Sequence, residues 1–337
     1  MPARPLLLEV SVLDLSIWRP GPYATALLGA LGADVVKVEP PGGDPMRHYA
    51  GLFGSVNAGK RSMVLDLKDP ADRDRALALA SQADGVVEGF RPGVVQRLGL
   101  DEPSVREVNP GVVYCSISGY GQSGPLARLP GHDLNYQAWA GALAPEGGPA
   151  AMPPLPVADL AAGMTAAFGI CAALLGRGPR DGGRPGAYLD IAMTDIMATW
   201  TGAAPATSQP GQAVPGYGLF ATADGSQVAL GVLNEQHFWS GLCRGIGLEE
   251  VASLSFEERS RRGTELNGVV AGAVAGRQRD ELVRTLLDAG VPVAPVLDRA
   301  GMVARGGFPP FLIRGAAGEA GPVPGLDQHA GQGFRRR

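Results

Sequence analysis

The stretch LLLEVSVLDLSIWRPGPYATALLGALGADVVKVEPP, residues 6–41, holds two short apolar runs on either side of a small-residue segment. The first run, LLLEVSVLDL, is apolar almost throughout, as a strand buried on both faces of a sheet must be. PYATALLGALG then reads as a helix closed by Gly32, since glycine accepts the left-handed backbone that ends helices. DVVKVE is a second strand, halted by Pro40 and Pro41, which cannot donate to a sheet ladder. Strand, helix and strand in this order form the βαβ unit of a parallel sheet.

Working outward, the same alternation continues. SMVLDL (62–67) predicts a third strand and DPADRDRALALASQA (69–83) a helix with Asp69 as its cap and Pro70 at its first position. DGVVEGF (84–90) and VVYCSISGYG (112–121) give two further strands, so the expected class is α/β with a Rossmann-like doubly wound sheet. From residue 132 to 200 the pattern turns helical. GAAPATSQPGQAVPGYG (202–218) shifts to Ala, Pro, Gly and Ser and reads as a linker.

Beyond it, GLFATADGSQVALGV (218–232) is a hairpin turning at Asp224 and Gly225. A helix from about Glu235, another over 279–289 and the strand VPVAPVLD complete a smaller α+β unit, and the final GFRRR reads as a frayed tail. The expected organisation is a large domain of residues 1–201 with 303–337, a linker of 202–217 and a small domain of 218–302.

Composition removes several classes of function. Over 337 residues, 45 % are hydrophobic and 18 % charged, which is globular, and the net charge of −4 offers no field for nucleic acid. Cys115, Cys171 and Cys243 are odd in number, far apart and in apolar surroundings, without zinc spacing, as in a reduced cytoplasmic protein. The apolar run VADLAAGMTAAFGICAALLG (157–176) is long enough to span a membrane. Its richness in Ala and Gly and its early aspartate predict a buried helix packed on neighbours instead.

Three places carry chemistry. GYGQSG (119–124) matches the G-x-G-x-x-G of dinucleotide sites, but Pro125 and an irregular LARLPG follow where a helix must begin, so it reads as an exposed turn. Lys60, Arg61 and Arg91 flank strands, where cations meet ligands in open α/β sheets or else are solvated loop charges. In RLPGHDLNYQAWAGAL (128–143), Asp133 reads as the cap of the following helix, which leaves His132 unexplained. Asp159 lies one turn into the apolar helix, where a carboxylate is favoured by the helix dipole or else faces a pocket.

Taken together, LGADVVKVEPPGGDPMR, NAGKRSMVLDLK, EGFRPGVVQRLGL, ISGYGQSGP, GHDLNYQAWAGAL and PVADLAAGMTAAFGICAALL resemble the family III CoA-transferases, most closely their α-methylacyl-CoA racemases. The resemblance runs nearly continuously from about residue 13 to 200 and is weaker beyond the linker. It implies an interlocked homodimer, an acyl-CoA substrate with coenzyme A as part of it, no further cofactor or metal, and neither nucleic acid nor membrane as partner. It implies CoA contacts from Lys60, Gly89, Phe90, Arg91, Arg97 and Tyr136. It makes Asp159 the nucleophile of a transferase or, with His132, one of two bases in a racemase, supported by Asp133 and Glu235. The expected reaction is epimerisation of a 2-methyl-branched acyl-CoA by 1,1-proton transfer; the alternatives are CoA transfer between acids and a silent CoA-binding partner. Glu235 departs from the racemase spacing by about one residue.

Overall fold

The computed structural model describes residues 5–144, 150–178, 185–202, 214–305 and 321–335. Strands β1 (Ser11–Asp14), β2 (Asp34–Glu39), β3 (Arg61–Val64), β4 (Gly85–Glu88), β5 (Val113–Ser118) and β6 (Ala187–Ala192) form one sheet in the order β3-β2-β1-β4-β5-β6. Every neighbouring pair is parallel. All six residues of β2 and of β5 are buried, because helices cover both sheet faces. On one face Val12, Val113, Cys115 and Ile117 pack with residues of the helices Pro20–Ala30 and Val157–Arg177. On the other, Leu13, Val36, Val86 and Tyr114 pack with those of Pro70–Ala80 and Glu102–Val108.

The structure refines the sequence reading in several places. Residues 6–9 form a turn, so β1 starts only at Ser11. The sixth strand was hidden inside a segment read as helical throughout. β6 is an edge strand whose Tyr188 and Asp190 sit on its more exposed side, so it lacks the continuous apolar run of β2. Gly186 lets the chain enter it, since a Cβ there would fall 1.7 Å from the Val112 carbonyl oxygen.

The described part of the tail, through Arg335, is docked rather than frayed, and residues 336–337 lie outside the described residues. The Ser62 carbonyl accepts the His329 N–H at 3.0 Å and Asp327 accepts the Val64 N–H at 2.7 Å. The Arg335 N–H reaches Asp34 at 2.7 Å. Residues 327–335 therefore satisfy the otherwise open edge of β3.

A second unit holds β7 (Tyr217–Ala221), β8 (Gln227–Gly231) and β9 (Val293–Pro295) in an antiparallel sheet. Its core sets Trp239, Leu242, Leu266, Val270 and Leu286 against Phe220, Val228 and Leu230. The described residues up to 202, with 321–335, form the first unit, and 214–305 form the second. The expected boundary at 303 falls inside the helix Arg299–Ala304. Most of the expected linker, 203–213, lies outside the described residues. Helices Phe256–Arg261 and Gly263–Ala275 are additional to those expected.

Candidate active site

The strand order reverses between β1 and β4, and in open α/β sheets that switch point opens a crevice beyond the strand ends. Two loops border it, one running from Ser16 to the helix at Pro20 and the other from Gly89 to the helix at Val94. They touch: a Cβ on Gly89 would lie 3.5 Å from that of Ser16. Both carry the tripeptide Arg-Pro-Gly, at residues 19–21 and 91–93. Arg91 and Arg97 are exposed beside the crevice, and Phe90 is half-buried against the core.

Asp159 arrives at the same end of the sheet on the helix Val157–Arg177. The far end of that helix is anchored at the opposite strand ends, where Arg177 donates to Asp84 and to the Gly111 carbonyl, each at 2.8 Å. Midway, the helix crosses Pro20–Ala30 closely. A Cβ on Gly163 would lie 2.7 Å from the Pro20 carbonyl oxygen and 2.9 Å from the Tyr23 ring. Gly163→Ala is therefore expected to lower stability by about 1–3 kcal/mol, read as a lower urea midpoint; an unchanged midpoint would mean that the helices separate freely.

Asp159 precedes Gly163 by one turn, which puts it beside the Arg19–Pro20 corner. Burial and the nearby Asp133 carboxylate push its carboxyl from the ordinary 3.8 up to about 7, against the pull of Arg19. At neutral pH the group is divided between acid and base.

The N-cap position expected of Asp133 falls to His132. His132, exposed, is the N-cap residue of the helix Asp133–Trp139, and its N–H donates to Asn135 Oδ1 at 3.0 Å. Asp133 sits at the first helical position and caps a different helix: its Oδ1 accepts the Asp159 N–H at 3.0 Å while Oδ2 accepts Gln137 at 2.6 Å. That bond ties the His132–Asp133 turn to the turn bearing Asp159. Tyr136 supports the arrangement from below. Its hydroxyl donates to the Gly131 carbonyl and its ring meets Tyr120 edge-on at 5.2 Å. Burial first, with Tyr120 and Asp159, pushes the phenol up to about 12, so it stays a neutral donor.

Lys60 is not available to a phosphate. Its buried ammonium donates to Asp14 at 3.0 Å, the Pro22 carbonyl at 2.8 Å and Asn57 at 2.9 Å, which uses all three protons. Burial pulls it down to about 8 although Asp14 opposes this. Asp14 also accepts from Thr25 at 2.6 Å and from Ser16, and Lys37 pairs with Asp44 at 3.0 Å. This network fixes the β1 loop. Trp18 holds φ 62°, a left-handed conformation costly for a non-glycine residue, and its N–H donates to Asp44. Glu235 belongs to the second unit, where it stands at the N-cap position of the helix Gln236–Ile246 without a side-chain capping bond and its carboxylate accepts the Leu233 N–H at 3.1 Å.

GYGQSG forms no dinucleotide cradle: bends and turns follow it, and the next helix starts at Asp133. The sequence reading passed over Arg19, Trp18 and Asp44. The signal for Arg19 was the repeated Arg-Pro-Gly after the first and fourth strands.

The fold thus brings a desolvated aspartate, Asp159, to the switch-point end of a doubly wound sheet, where ligands collect in open α/β folds. The sequence profile of CoA-transferase family III matches residues 7–308. The chain belongs to CoA-transferase family III, a superfamily of CoA-transferases and acyl-CoA racemases, and is an enzyme of that group. It is 33 % identical over 316 residues to the acetyl-CoA:oxalate CoA-transferase of Acetobacter aceti, covering 86 % of this chain and 80 % of that protein. It is 35 % identical over 254 residues to the human alpha-methylacyl-CoA racemase, covering 71 % of this chain and 64 % of the relative. The crystal structure of a CaiB/BaiF family protein from Brucella suis superimposes with a TM-score of 0.81 at 26 % identity, over 95 % of this chain and 96 % of that one.

Proposed function

We propose that the chain epimerises the α-carbon of a 2-methyl-branched acyl-CoA, with His132 and Asp159 as the two bases. The observation that carries this is the Asp133–Asp159 hydrogen bond, which couples the histidine turn to the aspartate turn. Inverting a carbon centre needs a base on each face, one deprotonated and one holding a proton. A carboxyl near 7 serves in either state at neutral pH. One base takes the α-proton, the enolate forms, and the other delivers its proton to the opposite face. The N-terminus of the helix bearing Asp159 favours the negative charge that develops.

The test is solvent exchange: in D2O, one α-deuterium is expected in 2-methylacyl-CoA without any acceptor acid. No exchange with any branched thioester, together with movement of CoA between acids, would overturn the reading.

A second reading, CoA transfer through an Asp159 acyl anhydride, draws support from the longer match to the acetyl-CoA:oxalate CoA-transferase. It draws support too from Glu235, which already has a local structural duty. Hydroxylamine trapping of an acyl group on Asp159 distinguishes the two.

The same proposal carries CoA contacts from Gly89, Phe90, Arg91 and Arg97, and no cofactor besides the CoA of the substrate. It includes a cytoplasmic homodimer, for which the exposed Trp139, Met164, Phe168 and Leu175 of the first unit provide apolar surface. The helix bearing three of them has the length and hydropathy of a membrane span, but Ala158, Ala162, Ala166 and Ile170 are buried on its inner face.

A further inference from the structure

Strands β1, β2 and β4 each end on a buried carboxylate: Asp14, Glu39 and Glu88. Burial opposes ionisation of the first two, but Lys60 beside Asp14 and Arg47 beside Glu39 overcome it and hold both carboxyls below the ordinary range. Glu88 is different, because no lysine or arginine among the described residues pairs with it. Burial, with Asp190 adding to it, pushes its carboxyl from the ordinary 4.5 up to about 7, against the pull of the Ser116 hydroxyl and the Phe90 N–H. Its Oε1 is buried and accepts no hydrogen bond from any described residue. A carboxylate kept at that cost needs a reason beyond packing.

The bond made by its other oxygen supplies one. Glu88 Oε2 accepts the Phe90 N–H at 2.7 Å, so the side chain turns back onto the chain that leaves its own strand. This fixes the start of the loop of residues 89–93. At the loop's end the Arg91 carbonyl accepts the Val94 N–H at 3.0 Å, and Gly93 takes the left-handed backbone, φ 87°, that leads into the next helix. Between the two, Phe90 packs against the core while Arg91 is exposed. An N–H held by an ionised acceptor is bound roughly twice as strongly as one held by a neutral group.

We propose that Glu88 is a positioning residue for CoA binding: by gripping the Phe90 N–H, its carboxylate holds residues 89–93 in the shape that receives CoA before the ligand arrives. This rests on the reading that Gly89, Phe90 and Arg91 contact CoA, and it holds for either reaction assigned to Asp159. A loop ordered in advance loses less conformational freedom on binding, so the gain appears as affinity for CoA. Glu88 lies on the sheet face that carries Val86 and Tyr114, whereas the helix bearing Asp159 covers the other face. The carboxylate therefore acts through the loop and not on the thioester.

The test is titration calorimetry of the full-length chain with free CoA, using Glu88→Met, which keeps the side-chain length but accepts no N–H, and Glu88→Gln, whose amide oxygen still does. CoA is expected to bind about tenfold more weakly to Glu88→Met and to stay within about threefold of the parent in Glu88→Gln. Thermal melts separate this from a purely structural role. Folding raises the Glu88 carboxyl, so the parent loses stability as pH climbs from 4.5 to about 7, and Glu88→Met is free of that cost at pH 8. The variant is expected to melt within about 3 °C of the parent there. Unchanged CoA affinity in Glu88→Met would overturn the proposal, and so would weakening that tracks a fall in melting temperature of about 10 °C or more. Arg91→Ala tests the underlying reading separately: unchanged CoA affinity in that variant would remove residues 89–93 from the CoA site, whereas weakening in Arg91→Ala but not in Glu88→Met would leave the CoA site in place and overturn the role of Glu88 alone.

Discussion

Asp159→Asn is expected to leave the chain folded and to remove turnover by about 10²–10⁴-fold, the usual contribution of a positioned acid or base. The amide keeps the shape of the carboxyl but can neither attack a thioester nor carry a proton. In the parent chain the carboxyl titrates near pH 7, so a rate that depends on the deprotonated form rises through pH 7 and flattens above it. The stability effect has the opposite sense. Folding raises this carboxyl above its ordinary value, so the folded state holds more protons between about pH 4 and pH 7 and loses stability as pH climbs through that window. The variant lacks this loss and is expected to melt higher than the parent at pH 8 and equally at pH 4. Stopped-flow assays across pH and parallel thermal melts read both effects. Undiminished turnover would remove Asp159 from the chemistry, and a lower melting temperature at pH 8 would mean that the carboxylate stabilises the fold.

The other large effect concerns stability. Asp14→Ala is expected to cost about 3–5 kcal/mol, because it leaves the buried Lys60 ammonium with only neutral acceptors, Pro22 and Asn57. Folding already lowers the Lys60 pKa from 10.5 to about 8, and loss of Asp14 lowers it further. A depressed lysine binds fewer protons folded than unfolded, so the variant recovers stability as pH rises toward 10. Urea titrations at pH 7 and pH 9.5 measure the cost and its pH dependence. A variant as stable as its parent at pH 7 would show that water enters and solvates Lys60. The same network explains why a change at Lys60 is expected to act on folding before it acts on CoA affinity.

Much of the sheet was legible because parallel strands covered on both faces are continuous apolar words. DVVKVE is β2 to the residue, and Asp69 caps its helix through Ala71 and Asp72, as its place before Pro70 indicated. β6 was not legible, since a half-exposed edge strand between two helices has no such run. At the site, His132, Asp133 and Asp159 were found as residues, but which of them caps which helix depends on a contact between positions 26 apart. A sequence shows that an aspartate precedes a helix; it does not show that the carboxylate turns to another one. Lys60 fails for a similar reason: a lysine before a strand reads as a loop charge until the buried Asp14 beside it is seen. Arg19 needed the opposite information, that no described residue accepts a hydrogen bond from its guanidinium.

The docking of residues 327–335 on β3 has a consequence for the order of events during synthesis. Ser62 meets its covering strap 267 positions later. At about 5–20 residues per second a ribosome takes on the order of 15–50 s to make that span. Throughout this interval the second unit is completed while the first still shows a bare strand edge, open to pairing with neighbouring nascent chains. A strap made long after β3 is thus the piece that ends this exposure, and the large unit matures after the small one that its own sequence encloses.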